Sequence, residues 1–238
     1  METAPALNSA LYWFPRIAHL RVPETRFVQY DHAVWVSVME SRKRLPEFDK
    51  VLAATVEKVA SVADELGYPL FVRSDLASAK HQGPDSYLIR DPEGIRQVLW
   101  ATVEDNEVKF WLERAQPAAF MLRQFLDLQS GFEAFGGHPI AREWRYFVRD
   151  GKVVCRHFYW TEDAMRFHGA EPPKWKEALT ELEQYEPPPE LATRAEEAGA
   201  VCVHYNFWSV DFAQDKQGAW WLIDMATGER SWHPECSA

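Results

Sequence analysis

Residues 207–224 read Phe207-Trp208-Ser209-Val210-Asp211-Phe212-Ala213, then Gln214-Asp215-Lys216-Gln217-Gly218, then Ala219-Trp220-Trp221-Leu222-Ile223-Asp224. Two runs rich in aromatic and branched residues flank a short polar turn that carries a glycine, which predicts a β-hairpin. Alternation along a strand places Asp211 on one face with Ser209 and Ala213, and Asp224 with Leu222 and Trp220. A turn centred near Asp215 to Gly218 brings Asp211 and Asp224 close together on adjacent strands. Two carboxylates on a largely apolar sheet repel each other and lose hydration unless a cation lies between them. Mg2+, which takes a few carboxylates plus phosphate oxygens, suits that place. The other reading pairs each acid with a Lys or Arg, or sets it at a wet strand end. The register decides between them.

Upstream lies a second hairpin, Glu143-Trp144-Arg145-Tyr146-Phe147-Val148-Arg149, Asp150-Gly151, Lys152 to Tyr159. Asp-Gly favours the type I′ turn. Glu143, Arg145, Phe147 and Arg149 share one face by alternation. On the partner strand Lys152 and Arg156 share a face and could extend a basic surface. Cations of this kind beside the two acids are the equipment of phosphoryl transfer, where positioning and charge neutralisation do most of the work. A strand with repeated arginine is equally read as a solvated edge. Further upstream, Arg73, Ser78 and Lys80 surround a loop of small residues after a buried strand at 69–73, which suits phosphate oxygens. Solvated charges near a turn give the same pattern, and the loop matches neither GxxxxGK[ST] nor GxGxxG.

Outward from these motifs, a helix capped by Asp49 carries Val51, Leu52, Val56, Val59, Val62, Ala63 and Leu66 at helical spacing and stops at Gly67. A second starts at Asp91-Pro92-Glu93 and runs to Trp100 or, with a break, to Arg114. Residues 120–126 read as a strand, the glycine-rich Ser130 to Gly137 as a loop, and 171–198 as two helices. Residues 1–22 hold a short helix, followed by an extended stretch from Pro23 to Val28; residues 31–48 are ambiguous, with a charged helix end from Glu40 to Arg44. Hairpins with helices between them predict an α+β fold, not a doubly wound parallel sheet.

Of 238 residues 47% are hydrophobic, and eleven are Trp, which indicates a sizeable core. A net charge of −10 argues against a general nucleic-acid binder. Cys155, Cys202 and Cys236 are too few and too scattered for a disulfide framework, so they are read as reduced thiols of a cytoplasmic protein. No signal pattern or membrane-length apolar run is present. The eight histidines form no HxxxH or HExxH. His233-Pro234-Glu235-Cys236 offers two metal ligands, with the rest of a zinc set missing.

In their order, Phe71 to Lys80, Leu122 to Leu126, Glu143 to Lys152, and the acids of Val210-Asp211 and Trp221 to Asp224 resemble the ATP-grasp superfamily. Within it they are most similar to the divergent branch that includes a eukaryotic assembly chaperone for translation initiation factor 2 and related phage and bacterial proteins. The resemblance implies antiparallel sheets with flanking helices and ATP held between two subdomains. It further implies an N-terminal region 1–68 with a substrate-recognition role, a small subdomain 69–117, and a C-terminal subdomain 118–238 with the adenine hinge and metal hairpin. ATP would meet Arg73, Ser78, Lys80, the hinge Gln124, Phe125 and Leu126, and Glu143 and Arg156; Asp211 and Asp224 would hold Mg2+. Arg145 would stabilise the transferring group. The implied activity is a carboxylate–amine ligase working through an acyl-phosphate, with a small-molecule, peptide or protein acceptor. An ATP-binding assembly chaperone without ligase chemistry and a phage-type nucleic-acid-modifying ligase or phosphotransferase are the alternatives. One departure stands out: where the family has Asn two residues after the last acid, this chain has Ala226, with Thr227 or Glu229 as possible substitutes.

Overall fold

The computed structural model describes residues 7–41, 46–77, 82–113, 116–166 and 173–233. Contacts divide the chain into two units, one of residues 24–125 and one of residues 1–23 with 126–238. The boundaries expected near 68 and 117 fall inside the first of these.

In the 24–125 unit, β1 (Thr25–Gln29), β2 (Leu70–Ser74), β3 (Leu88–Ile89) and β4 (Ala119–Gln124) form an antiparallel sheet of order β1-β4-β2-β3. Its helices are α1 (His32–Ser41), α2 (Pro46–Leu66) and α3 (Ile95–Glu113). Helix α2 starts three residues before the expected cap, so Asp49 lies inside it. Proline is well suited to a first helical position, where its missing N–H costs nothing. Gly67, at φ +81°, ends the helix. Asp91 caps the turn before α3 by accepting from Gly94 N–H at 3.0 Å. Trp35, Phe48, Leu52, Val59, Leu99 and Phe120 fill the core between helices and sheet.

The other unit opens with α4 (Ala10–Ile17), whose Tyr12 stacks on Trp208 with ring centroids 6.2 Å apart. Asn8 accepts from Thr227 N–H at 2.8 Å, and Arg21 O from Leu222 N–H at 3.0 Å. The N-terminal segment thus packs on the C-terminal hairpin. The remaining elements are β5 (Ser130–Ala134), β6 (His138–Ala141), β7 (Glu143–Arg149), β8 (Lys152–Phe158), α5 (Glu162–Arg166), α6 (Trp175–Glu183), α7 (Glu190–Val201), β9 (Phe207–Gln214) and β10 (Trp220–Thr227). Residues 130–137, expected as a loop, instead form most of the β5–β6 hairpin. Gly131 and Pro139 hide it, because both are poor strand formers. Gly131 is needed there, since a Cβ would lie 3.1 Å from Leu182 Cδ1.

β7 to β10 make an antiparallel sheet of order β10-β9-β7-β8. The Asp150-Gly151 turn has φ of +49° and +74°, as type I′ requires. Asp215 braces the other turn, its Oδ1 accepting from Ala219 N–H at 2.8 Å and its Oδ2 from Trp221 Nε1–H at 2.7 Å. Each hairpin carries a β-bulge, one between Leu222 and Asp224 and one opposite the Phe147–Val148 step.

A bulge adds one residue to one strand and switches the alternation beyond it. Two expectations change as a result. Asp224 pairs with Asp211, while Leu222 pairs with Phe212, so Asp224 shares its face with Trp221 and Ala226 instead of Leu222 and Trp220. Lys152 pairs with Arg149 but Arg156 with Tyr146, so Lys152 and Arg156 lie on opposite faces.

Helix α7 packs on the sheet through Gly199, where an added Cβ would come within 2.7 Å of Val148 Cγ1. Val148 is 1% exposed and β-branched, so it has nowhere to turn. Helix propensity alone favours Gly199→Ala by about 1 kcal/mol. The close approach reverses the sign: we expect the substitution to lower stability by about 1–3 kcal/mol in urea unfolding, and a stabilised variant would contradict this packing.

Candidate functional site

One face of the β7–β10 sheet gathers the charged residues. Paired residues of neighbouring strands share a face, and the registers line up Asp224, Asp211, Arg145 and His157 as a single row across all four strands. The next row is Ala226, Ser209, Phe147 and Cys155. On the other side, Glu143 and Trp221 flank Ala213. The two bulges build this arrangement. Without them Ile223 would oppose Asp211 and Arg156 would oppose Arg145.

Arg145 and Asp211 form a bidentate pair, Nε to Oδ1 and Nη2 to Oδ2, both at 2.8 Å. The side chains are 14% and 4% exposed, so the pair is largely out of water. Burial by itself would lower the pKa of the Arg145 guanidinium, but the charge of Asp211 and the hydrogen bonds to it outweigh burial and raise it. Tyr159 lies under the guanidinium, 4.7 Å from its carbon to the ring centroid. Asp224 is half-buried and accepts from Met225 N–H at 2.9 Å. Glu143 is 3% exposed, and its charge also acts on Arg145. Three carboxylates therefore surround one guanidinium. Their oxygens are hard donors of the kind that hold Mg2+.

The segment after β10 folds back over this face. Gly228 starts it, and a Cβ there would overlap the Phe207 ring. Ser231 Oγ lies 2.5 Å from Ser209 Oγ on β9, and Trp232 O accepts from Arg145 Nη1 at 3.4 Å on β7. His233 reaches β8, with its ring centroid 4.0 Å from that of Phe147. The tail thus crosses one strand per residue. Neither Tyr159 nor Trp232 is signalled by the sequence, because spacing says nothing of a chain that doubles back.

The other expected residues are spread more widely. Arg73 is 6% exposed on β2, its Nε donating to Ser74 O at 3.1 Å; Ser78 and Lys80 lie outside the described residues. Ser74 Oγ instead organises the start of that loop, donating to Asn106 Oδ1 at 2.7 Å and accepting from Ala77 N–H at 3.0 Å. Gln124 and Phe125 are exposed and end one unit, and Leu126 begins the other. Arg156 sits on the helix-facing side with Glu186 as its ion-pair partner, away from the row of Arg145. A cleft of about 490 Å3 opens near it, lined by Trp144, Trp160, Lys176, Leu179 and Trp232 among others.

The cysteines also depart from expectation. Cys202 is buried, and burial pushes its thiol up to about 12. Cys155 is disulfide-bonded, where a reduced thiol was expected. Distance along the chain hides the cause: the folded-back tail brings His233 Nε2 to 3.1 Å from Cys155 Sγ. Among the described residues no helix is long and apolar enough to cross a membrane.

No curated protein matches this chain. Among solved structures, C-terminally truncated Cdc123 from Schizosaccharomyces pombe superposes with a TM-score of 0.61 at 10% identity, over 95% of this chain and 87% of that one. A RimK-domain ATP-grasp protein from Sphaerobacter thermophilus matches at 14% identity and a TM-score of 0.46, over 94% of this chain and 60% of the other. The first likeness agrees with the α+β architecture of antiparallel sheets and flanking helices described above. A family model described as an ATP-grasp domain, the third family of its clade, matches residues 45–238, which takes in the Asp211–Asp224 hairpin and most of both units, and the chain therefore belongs to that ATP-grasp family.

Proposed function

We propose that this chain binds Mg·ATP and acts as an ATP-grasp ligase that activates a carboxylate as its acyl-phosphate for attack by an amine. The observation that carries this reading is the row Asp224–Asp211–Arg145 on one face of the sheet, with Glu143 beside it. Carboxylates outnumber the guanidinium there, which favours a divalent cation. Asp224 and Asp211 are the Mg2+ ligands, and Arg145 is the cation that meets the transferring phosphoryl group. Arg73, with Ser78 and Lys80 of the same loop, attends the phosphates. Gln124 to Leu126 offer backbone groups to adenine. The acceptor is a small molecule, peptide or protein.

Asp211 serves two cations in this scheme. Arg145 already engages both of its oxygens, so Mg2+ must use the remaining lone pairs or loosen the pair. That feature, with Ala226 offering no oxygen from its side chain in the adjoining row, favours a second reading: an ATP-binding assembly chaperone without ligase chemistry. Single-turnover measurement of ADP formation separates the two, since the ligase produces ADP with its acceptor present and the chaperone only binds ATP.

A ligand that binds only the native state raises stability by about 2.7 kcal/mol at a hundred times its dissociation constant. We expect ATP to raise the melting temperature more with Mg2+ than without, and Asp224→Ala to abolish the Mg2+-dependent increment. An increment of unchanged size in Asp224→Ala would sink the assignment. Stability tests the ion pair separately. Arg145→Met strands a buried carboxylate and should cost about 3–5 kcal/mol in denaturant unfolding, while Arg145→Met with Asp211→Leu should recover most of the loss. A cost below about 1 kcal/mol for the single variant would mean that the pair is not buried as described.

A further inference from the structure

At the β8 edge of the same face, Cys155, His157 and His233 each present one ligand atom, and all three atoms lie within 4.8 Å of one another. Cys155 Sγ is 3.4 Å from His157 Nε2 and 3.1 Å from His233 Nε2. The two imidazoles meet edge-on, with centroids 5.3 Å apart and planes at 79°. Bond lengths to Zn2+ of about 2.3 Å from sulfur and 2.0–2.1 Å from nitrogen put tetrahedral ligands roughly 3.3–3.8 Å apart. The cluster is therefore close to the size of one ion's coordination shell.

We propose that Cys155, His157 and His233 form a Zn2+ site that fastens the C-terminal tail to strand β8. A thiolate and two imidazoles select zinc over Mg2+, which prefers oxygen. Cys155 and His157 come from alternate positions of one strand, so both project from the same face. His233 comes from the tail, and the metal links the two. Cys236, which follows His233 by three residues, lies outside the described residues and is the fourth-ligand candidate by sequence spacing. The site does not depend on ATP binding and uses none of the residues assigned to Mg2+.

Zinc requires Cys155 as the thiolate, so the metal and the disulfide of Cys155 are alternative states of one cluster. A phosphine reductant supplies two electrons, water supplies two protons and its oxygen to the phosphine, and the disulfide becomes two thiols. Each coordinating thiol then releases a proton to the buffer as its sulfur binds the ion.

The test uses the full chain, reduced with a phosphine, stripped of metal by chelation, and titrated with Co2+ and then Zn2+. One Co2+ per chain is expected, with the visible bands of tetrahedral coordination and a near-ultraviolet thiolate charge-transfer band, all displaced by Zn2+. His233→Gln, at an exposed position, should weaken Co2+ binding by at least about 100-fold. Cys155→Ser should remove the charge-transfer band. Circular dichroism of each variant shows whether it has kept its fold, and the wild-type spectrum stands whether or not a variant folds. Absence of stoichiometric Co2+ binding by the reduced wild-type chain would overturn the proposal, as would octahedral bands without charge transfer or undiminished binding in a folded His233→Gln.

Discussion

The Arg145–Asp211 pair is the interaction on which the rest of this face depends. Two charges held this far from water are costly, and geometry decides whether they are tolerated. Here both carboxylate oxygens meet the guanidinium fork at 2.8 Å, and Tyr159 covers the fork. Because the pair joins β7 to β9 at the middle of the sheet, it also sets what stands on either side. Asp224 comes next on β10 and His157 next on β8. Removing either partner would strand the other and disturb both flanks.

The C-terminal tail depends on the same pair. Trp232 O receives the Arg145 Nη1 donor that Asp211 does not use, Ser231 meets Ser209 on β9, and His233 ends beside Cys155 and His157. The tail is therefore tied to the sheet at successive strands, and the proposed zinc site is its outermost fastening. Such an arrangement connects the sheet edge to the row that carries the nucleotide-linked acids. A ligand at one position would be felt at the other through Arg145.

How much of this was legible in the sequence can be argued from particular residues. Both hairpins were legible, because Asp150-Gly151 and the polar turn at 215–218 punctuate runs of β-prone residues. The closeness of Asp211 and Asp224 was expected from turn position and is found in the register. The faces were less legible, because each bulge breaks the period-2 rule, and no residue at Val154 or Ile223 announces an extra position. Arg156 was therefore grouped with a basic surface that it does not join. The hairpin at 130–141 was hidden by Gly131 and Pro139, and the docking of residues 7–23 on the C-terminal hairpin by the length of chain between them. The rest of a zinc set was missing from the sequence for the same reason: His233 lies 78 residues from Cys155, and only the folded tail brings them together.

The most direct test of the account is whether a metal nucleotide binds at the Arg145–Asp211–Asp224 row. Arg145 Nε–H, held in a buried hydrogen bond, is a suitable nuclear magnetic resonance reporter in a 15N-labelled chain. With Mn2+·ATP in place of Mg2+·ATP, the account predicts paramagnetic broadening of that resonance, relative to the Mg2+ control, and its loss in Asp224→Ala. An Arg145 signal left sharp while Mn2+·ATP is shown to be bound would contradict it.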